Sequence, residues 1–126
     1  MKHVLVDTDI LIHFLRGNVK ARNVLSGFLE DADISCSVIT VTEIHAGMKP
    51  HEREKTVELL DSLTVLDITV KIAEKAGQYK RSIKSQNLEL DDCFIAATAH
   101  EKNALLLTGN GKHYPMTDVD KKIVLF

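Results

Sequence analysis

Buried-type strands alternating with helical stretches along 126 residues predict an α/β fold, a mostly parallel sheet of about five strands with helices on both faces. Three observations carry that prediction. The strand candidates include continuous apolar runs such as Val4-Leu5-Val6 and Leu105-Leu106-Leu107, which suit strands covered on both faces. Apolar residues recur at helical spacing between the strands. No connection has the form of a tight hairpin. At this length the chain reads as a single domain, residues 1–126. It is large enough to bury roughly two-thirds of its unfolded surface without a disulfide or a structural metal.

The elements follow in order. Val4–Val6 is the first strand and stops at Asp7. Ile10, Leu11, Phe14 and Leu15 continue as a helix, closed by Gly17-Asn18. Val24, Leu25, Phe28 and Leu29 place a second helix over Val19–Glu30. Asp31-Ala32-Asp33 bounds a strand at Ile34–Val38, and a helix over Thr40–Gly47 follows. His51–Leu63 is amphipathic through Val57, Leu60 and Leu63, and Thr64–Ile68 is a short strand. Thr69–Gln86 is the longest helical stretch, with Ile72, Ala76, Tyr79 and Ile83 on its apolar side. Its outer face carries Lys71, Lys75, Lys80, Arg81 and Lys84 against Glu74. That face reads as solvated, or as a local strip for a nucleic-acid backbone. Asn87–Glu89 breaks the helix, and Asp91-Asp92 opens an alanine-rich one. Ala104–Thr108 is a fourth strand, Gly109–Pro115 a loop, and Ile123–Leu125 the last strand.

The composition narrows the function. A net charge of −2 and a pI near 6.3 exclude a protein held to nucleic acid mainly by global charge. They leave room for an enzyme that meets a phosphodiester through bound metal. Cys36 and Cys93 are the only cysteines, each in an apolar stretch, as expected of reduced thiols. No apolar run reaches the ~18 residues of a membrane span. The chain opens on a strand rather than a signal peptide, so the expected compartment is the cytoplasm.

The acids are placed with the strands. Asp7, Thr8 and Asp9 form an acidic turn where the first strand hands over to a helix. In open α/β sheets ligands bind at that end of the strands. Glu43 lies after the second strand, Asp92 at a helix start, and Asn110 just beyond the fourth strand. A parallel sheet brings its strand ends to one side, so these residues can converge. Each also has a local explanation. Asp7, Thr8 or Asp9 can cap the first helix, but one cap needs one side chain and the turn offers three. Thr40-x-x-Glu43 fits a capping box. Asp91 or Asp92 can be an N-cap, and Asn110 a left-handed turn residue. One shared site explains all of them together.

Gathered carboxylates without basic partners raise one another's pKa, and a divalent cation relieves this. Oxygen ligands suit Mg²⁺ or Mn²⁺. The six histidines are scattered without zinc spacing, His113 being nearest the acids in sequence. Such a centre stabilises charge on phosphate oxygens and activates water near neutral pH. The expected reaction is metal-dependent phosphodiester hydrolysis with water as the nucleophile.

Val4–Ile12, Ser37–Glu43, Asp92–Ala99 and Leu107–Tyr114 stand in order along the chain. Together these four stretches resemble the motifs of PIN-domain ribonucleases, and most closely the VapC toxins of toxin–antitoxin pairs. The resemblance covers essentially the whole chain. It implies a three-layer α/β/α PIN fold and Mg²⁺- or Mn²⁺-dependent endonucleolytic cleavage of RNA. By motif it makes Asp7, Glu43 and Asp92 the metal-binding and catalytic acids. Asn110 falls where many PIN proteins carry a fourth acid, so one or two ions both remain open. Thr8, Asp9 and Thr108 stand behind these ligands. The resemblance also implies a homodimer and a VapB-like antitoxin that blocks the site. Lys112, Lys80, Arg81 and Lys84 are the candidate contacts to an RNA backbone.

Two other readings stay open at this point. One is a non-catalytic PIN-like binding module. The other is an aspartyl-phosphate phosphatase or receiver-type domain, in which Asp7 or Asp67 would be phosphorylated. Against the second, no Thr and Lys follow at the later strand ends.

Overall fold

In the computed structural model, which describes residues 2–28 and 32–126, Lys2–Val6 (β1) is the middle strand of a five-stranded sheet. The chain continues through α1 (Thr8–Leu15), α2 (Val19–Phe28) and β2 (Ala32–Ser37). Next come α3 (Val38–Gly47), a 3₁₀ turn (Pro50–Glu52), α4 (Arg53–Asp61) and β3 (Thr64–Leu66). It closes with α5 (Val70–Ser82), α6 (Leu90–Glu101), β4 (Leu105–Thr108), a second 3₁₀ turn (Gly111–His113) and β5 (Lys121–Ile123). The strand order is β3-β2-β1-β4-β5, and all four pairings are parallel.

This order follows from handedness. The chain steps outward from β1 to β2 to β3, then returns across the sheet to β4 on the other flank of β1. Right-handed crossovers therefore put α1–α4 on one face and α5–α6 on the other. Val4, Val6 and Leu107 pack with Ile10, Leu11, Leu25, Ile44 and Leu60 on the first face. Leu5 and Leu106 pack with Ile72, Ala76, Ile95 and Ala96 on the second. The alternation within β1 and β4 is real but invisible as polarity, because both faces are covered. Among the described residues no helix is long and apolar enough to cross a membrane.

The departures from expectation lie at element ends, and each has a local cause. The third helix begins at Val38 rather than Thr40, because β2 runs straight into it and Ser37 Oγ accepts from Ile39 N at 3.0 Å. Thr40 and Glu43 are therefore not a capping box. Asp91 and Asp92 are not N-caps either, since α6 starts at Leu90 and both lie in its first turn. The fourth helix begins at Arg53, after a 3₁₀ turn led by Pro50 and tied by Glu52 Oε1 accepting from Lys49 N at 2.8 Å. The fifth helix ends at Ser82, four residues short of Gln86. There Ile83 turns extended and packs on the core, and Leu88 follows it inward. The last strand pairs at Lys121–Ile123, and buried Val124 lies just after it. Gly17 adopts φ +81° at the end of α1, where Asn18 N donates to His13 O at 3.0 Å. Leu29 and Glu30 of the expected second helix, and Asp31 after them, lie outside the described residues.

Candidate active site

The strand order reverses between β1 and β4, and the crevice beyond the carboxyl ends of these two strands is where open α/β sheets bind ligands. Asp7 stands at that point. Its backbone N donates to Leu107 O at 2.9 Å, continuing the β1–β4 ladder one residue past the strand. It is the N-cap of α1, and its Oδ1 accepts from Thr8 N at 2.8 Å. Its Oδ2 accepts from the Thr108 hydroxyl at 2.7 Å. The cap and the site are thus the same side chain, 5% exposed.

Glu43 and Asp92 approach from the two helical layers. Glu43, on α3, accepts from the Thr8 hydroxyl at 2.6 Å, and Thr8 pairs in turn with the buried Thr40 hydroxyl at 3.0 Å. Burial raises the Glu43 carboxyl above its ordinary value, the Thr8 bond opposes this, and the charges of Asp91, Asp7 and Asp92 add to the rise. On α6, Asp92 accepts from the Tyr114 hydroxyl at 3.3 Å, and its other oxygen lies 3.4 Å from His113 Nδ1. Its carboxyl is also raised, first by burial, with His113 opposing and Asp7 adding to the effect.

Asp9 plays a mechanical part as well as an electrostatic one. Its Oδ1 accepts from Ile10 N at 2.9 Å. Its Oδ2 accepts from Gly109 N at 2.9 Å and from the Asn110 side-chain amide at 3.2 Å. Burial, and then the neighbouring Asp7 charge, push its carboxyl up to about 6. A Cβ on Gly109 would collide with the Asp9 carboxylate and sit 2.9 Å from the Phe126 ring, so a larger residue there would push these side chains out of the present clamp. Asn110 is not a left-handed turn residue, its φ being −117°. Its side-chain amide nitrogen is engaged with Asp9 Oδ2.

Asp7, Thr8, Asp9, Glu43, Asp92, Asn110 and His113 line one cavity of about 370 Å³. Asp7, Asp9, Glu43, Glu89, Asp91 and Asp92 contribute carboxylates to its wall, and among the described residues His113 is the one lining side chain that can carry positive charge. Asp67 is not part of it. A larger cavity, about 500 Å³, opens between α1, α2 and α4 against Phe14, Leu59, Arg16 and Lys55, without a comparable gathering of acids. Among the described residues, no three His, Cys, Asp or Glu side chains are close enough to enclose an ion by themselves. Mg²⁺ keeps several waters and takes one or two carboxylates, so the donor set fits a partly hydrated hard cation.

The basic candidates are placed less uniformly. Lys112 is exposed beside His113, and its carbonyl accepts from Gln86 Nε2 at 2.8 Å, which ties the α5–α6 loop to the rim. Arg81 and Lys84 are exposed. Lys80 Nζ is turned back onto Asn87 Oδ1 at 3.0 Å and Leu88 O. Lys71 pairs with Glu101 and Lys75 with Asp118, so the outer strip of α5 is partly neutralised. Sequence reasoning missed Tyr114 and Thr40 as members of the site, and the rim acid Glu89. For Tyr114 the available signal was a large aromatic in a loop punctuated by Gly109, Gly111 and Pro115.

Comparison with known proteins identifies the family and the fold. The PIN-domain family model matches residues 4–121. Ribonuclease VapC10 of Mycobacterium tuberculosis is 38% identical over 115 residues, covering 90% of this chain and 86% of the relative. Ribonuclease VapC1 of Methanocaldococcus jannaschii is 30% identical over 115 residues, covering 88% and 78%. Among solved structures, a toxin–antitoxin complex from Klebsiella pneumoniae superposes with a TM-score of 0.79 at 28% identity, covering 93% of this chain and 98% of that one. VapBC2 from Rickettsia felis, bound to a promoter DNA fragment, shares the fold with a TM-score of 0.87 at 21% identity, covering 96% and 98%.

Proposed function

The chain belongs to the PIN-domain family, and on that premise we propose that it is a Mg²⁺- or Mn²⁺-dependent endoribonuclease, the toxin of a toxin–antitoxin pair. Residues 1–126 would act as one PIN-like domain in the cytoplasm, as a homodimer restrained by a VapB-like antitoxin. The observation that carries the reading is the convergence of Asp7, Glu43 and Asp92 on one cavity at the β1–β4 switch point. Neutral hydroxyls, rather than Lys or Arg, hold all three acids in place.

In this mechanism Asp7 and Asp92 would hold the cation, with Glu43 beside them. Once bound there, such an ion would supply Lewis acidity at the phosphate and a lowered pKa for water, the chemistry that allows hydrolysis near neutral pH. Thr108 and Thr8 fix the carboxylates of Asp7 and Glu43, so little reorganisation is needed. Glu43, made more basic by burial, is suited to take the proton of the attacking water. The Asp9–Gly109–Asn110 clamp holds the loop after β4 against the cavity wall. Lys112, Arg81 and Lys84 supply local positive charge along an approach for the RNA backbone, and Lys80 adds charge while its head holds the neighbouring loop.

The test is cleavage of total cellular RNA by antitoxin-free protein with Mn²⁺ or Mg²⁺. Controls are EDTA, Asp7→Asn and Asp92→Asn. Discrete fragments that vanish with EDTA and with either substitution are expected, and their ends would name the substrate. A folded wild type that binds cation and leaves every RNA intact would favour the non-catalytic module. Cleavage surviving both substitutions would overturn the assigned site.

A further inference from the structure

Tyr114 is 0% exposed and lies in the core beneath α6, among the residues that pack on Leu5, Ala96 and Leu106. Packing alone would be served by phenylalanine. The hydroxyl needs a partner at that depth, and the partner it has is a carboxylate of the site, Asp92 Oδ1 at 3.3 Å. Burial, and then the charges of Asp7 and Asp92, hold the phenol protonated far beyond neutral pH, so it remains a donor. The loop that carries it is fastened independently. Tyr114 N donates to Gly111 O at 3.1 Å, and Lys121 of β5 donates to Tyr114 O and Met116 O.

We propose that Tyr114 is a positioning residue for cation binding, its hydroxyl holding Asp92 by Oδ1 from the core side. This rests on the metal-dependent reading above. A neutral donor suits the task better than either alternative. A lysine would neutralise the acid permanently and compete with the cation. A phenylalanine would leave a carboxylate oxygen facing apolar core. With Oδ1 held, Asp92 Oδ2 is left on the His113 side, toward the cavity.

The chain has no Trp and two Tyr, which allows a direct test. The second tyrosine, Tyr79, also donates to an aspartate, Asp118 at 2.8 Å, outside the residues lining the cavity. Mn²⁺ binding is measured by calorimetry without RNA for wild type, Tyr114→Phe and Tyr79→Phe. Tyr114→Phe should weaken Mn²⁺ binding by about three- to tenfold, and Tyr79→Phe by less than about twofold, the sizes expected when one ordinary hydrogen bond is lost or kept. In Tyr79→Phe the remaining tyrosine is Tyr114, so Mg²⁺ titration should change its near-ultraviolet absorbance and saturate with the calorimetric affinity. That second readout does not require the Tyr114 variant to fold. Equal Mn²⁺ affinity in wild type and folded Tyr114→Phe, equal weakening in both variants, or a flat Tyr114 signal overturns the proposal alone. A wild type that binds neither ion overturns the metal-dependent reading and the proposal with it.

Discussion

Two buried tyrosines donate to two aspartates on the α5–α6 side of the sheet, and the surroundings of the two acids are opposite. Asp118 receives Tyr79 at 2.8 Å together with the Lys75 ammonium at 2.8 Å, and His100 lies 3.5 Å away. Burial works against its charge, but the Lys75 and Tyr79 bonds outweigh it and hold the carboxyl below its ordinary value. Asp92 receives Tyr114 at 3.3 Å and, among the described residues, pairs with no Lys or Arg, its cationic neighbour being His113 at the rim. Its carboxyl is raised. The Asp118 cluster is complete as folded and fastens the connector before β5 to α5 and α6. The Asp92 cluster is held in shape while its charge stays unmet, which is the condition expected of an acid reserved for a ligand.

Neutralising each acid should separate the two clusters most sharply. Asp92→Asn is expected to lower RNA cleavage by about a hundredfold or more, while leaving the melting temperature in EDTA equal or higher. Thermal melts beside cleavage assays would show this, and a destabilised Asp92→Asn would break the contrast. Gly109→Ala tests the clamp. Overpacking against Asp9 and Phe126 should cost about 1–3 kcal/mol in a denaturant titration and reduce cleavage. Asp118→Asn should do the reverse of Asp92→Asn, with about 1–2 kcal/mol of stability lost and cleavage retained.

The pH response of the cation-free protein is a smaller effect with a definite sign. Asp9 has a folded pKa of about 6 against an ordinary 3.8, so the folded state binds more protons in that interval. Its contribution favours folding as pH falls from about 7 toward 5. Glu43 and Asp92 shift in the same direction. Asp118 shifts the other way, so its stabilisation is present above the ordinary carboxyl range and disappears in stronger acid. Melting in EDTA should rise by a few degrees between pH 7.5 and 5.5 (roughly the span of the raised acids) and then fall below about pH 4. Asp9→Asn should flatten the first limb. The smallest effect is that of Lys112→Ala, which should lower the salt dependence of RNA binding by about one unit of slope. An unchanged slope would remove Lys112 from the RNA path.

The layout of the fold was legible because periodicity and strand ends are local signals. Val4–Val6 and Leu105–Leu107 announced covered strands, and Asp7, Glu43 and Asp92 could be gathered once the strands were taken as parallel. What escaped depended on contacts across the chain. Thr40 looked like a cap because its spacing to Glu43 is that of a capping box, yet Ser37 took the cap and freed both side chains for Thr8. Tyr114 looked like a loop residue, because nothing near it in sequence says that the loop passes under Asp92. The end of α5 was overestimated because Ile83 continues the helical spacing while its backbone turns toward the core.

The bond between Asp7 and Thr108 joins residues 101 positions apart, and β1 itself is completed on that flank only by β4. A growing chain emerges from its amino end and meets non-local partners late. Asp7 is made early but gains its hydroxyl partner, and the wall supplied by Asn110 and His113, only once residues 101 positions and more further on are in place. A product truncated before β4 would carry Asp7, Glu43 and Asp92 and still lack the assembled site.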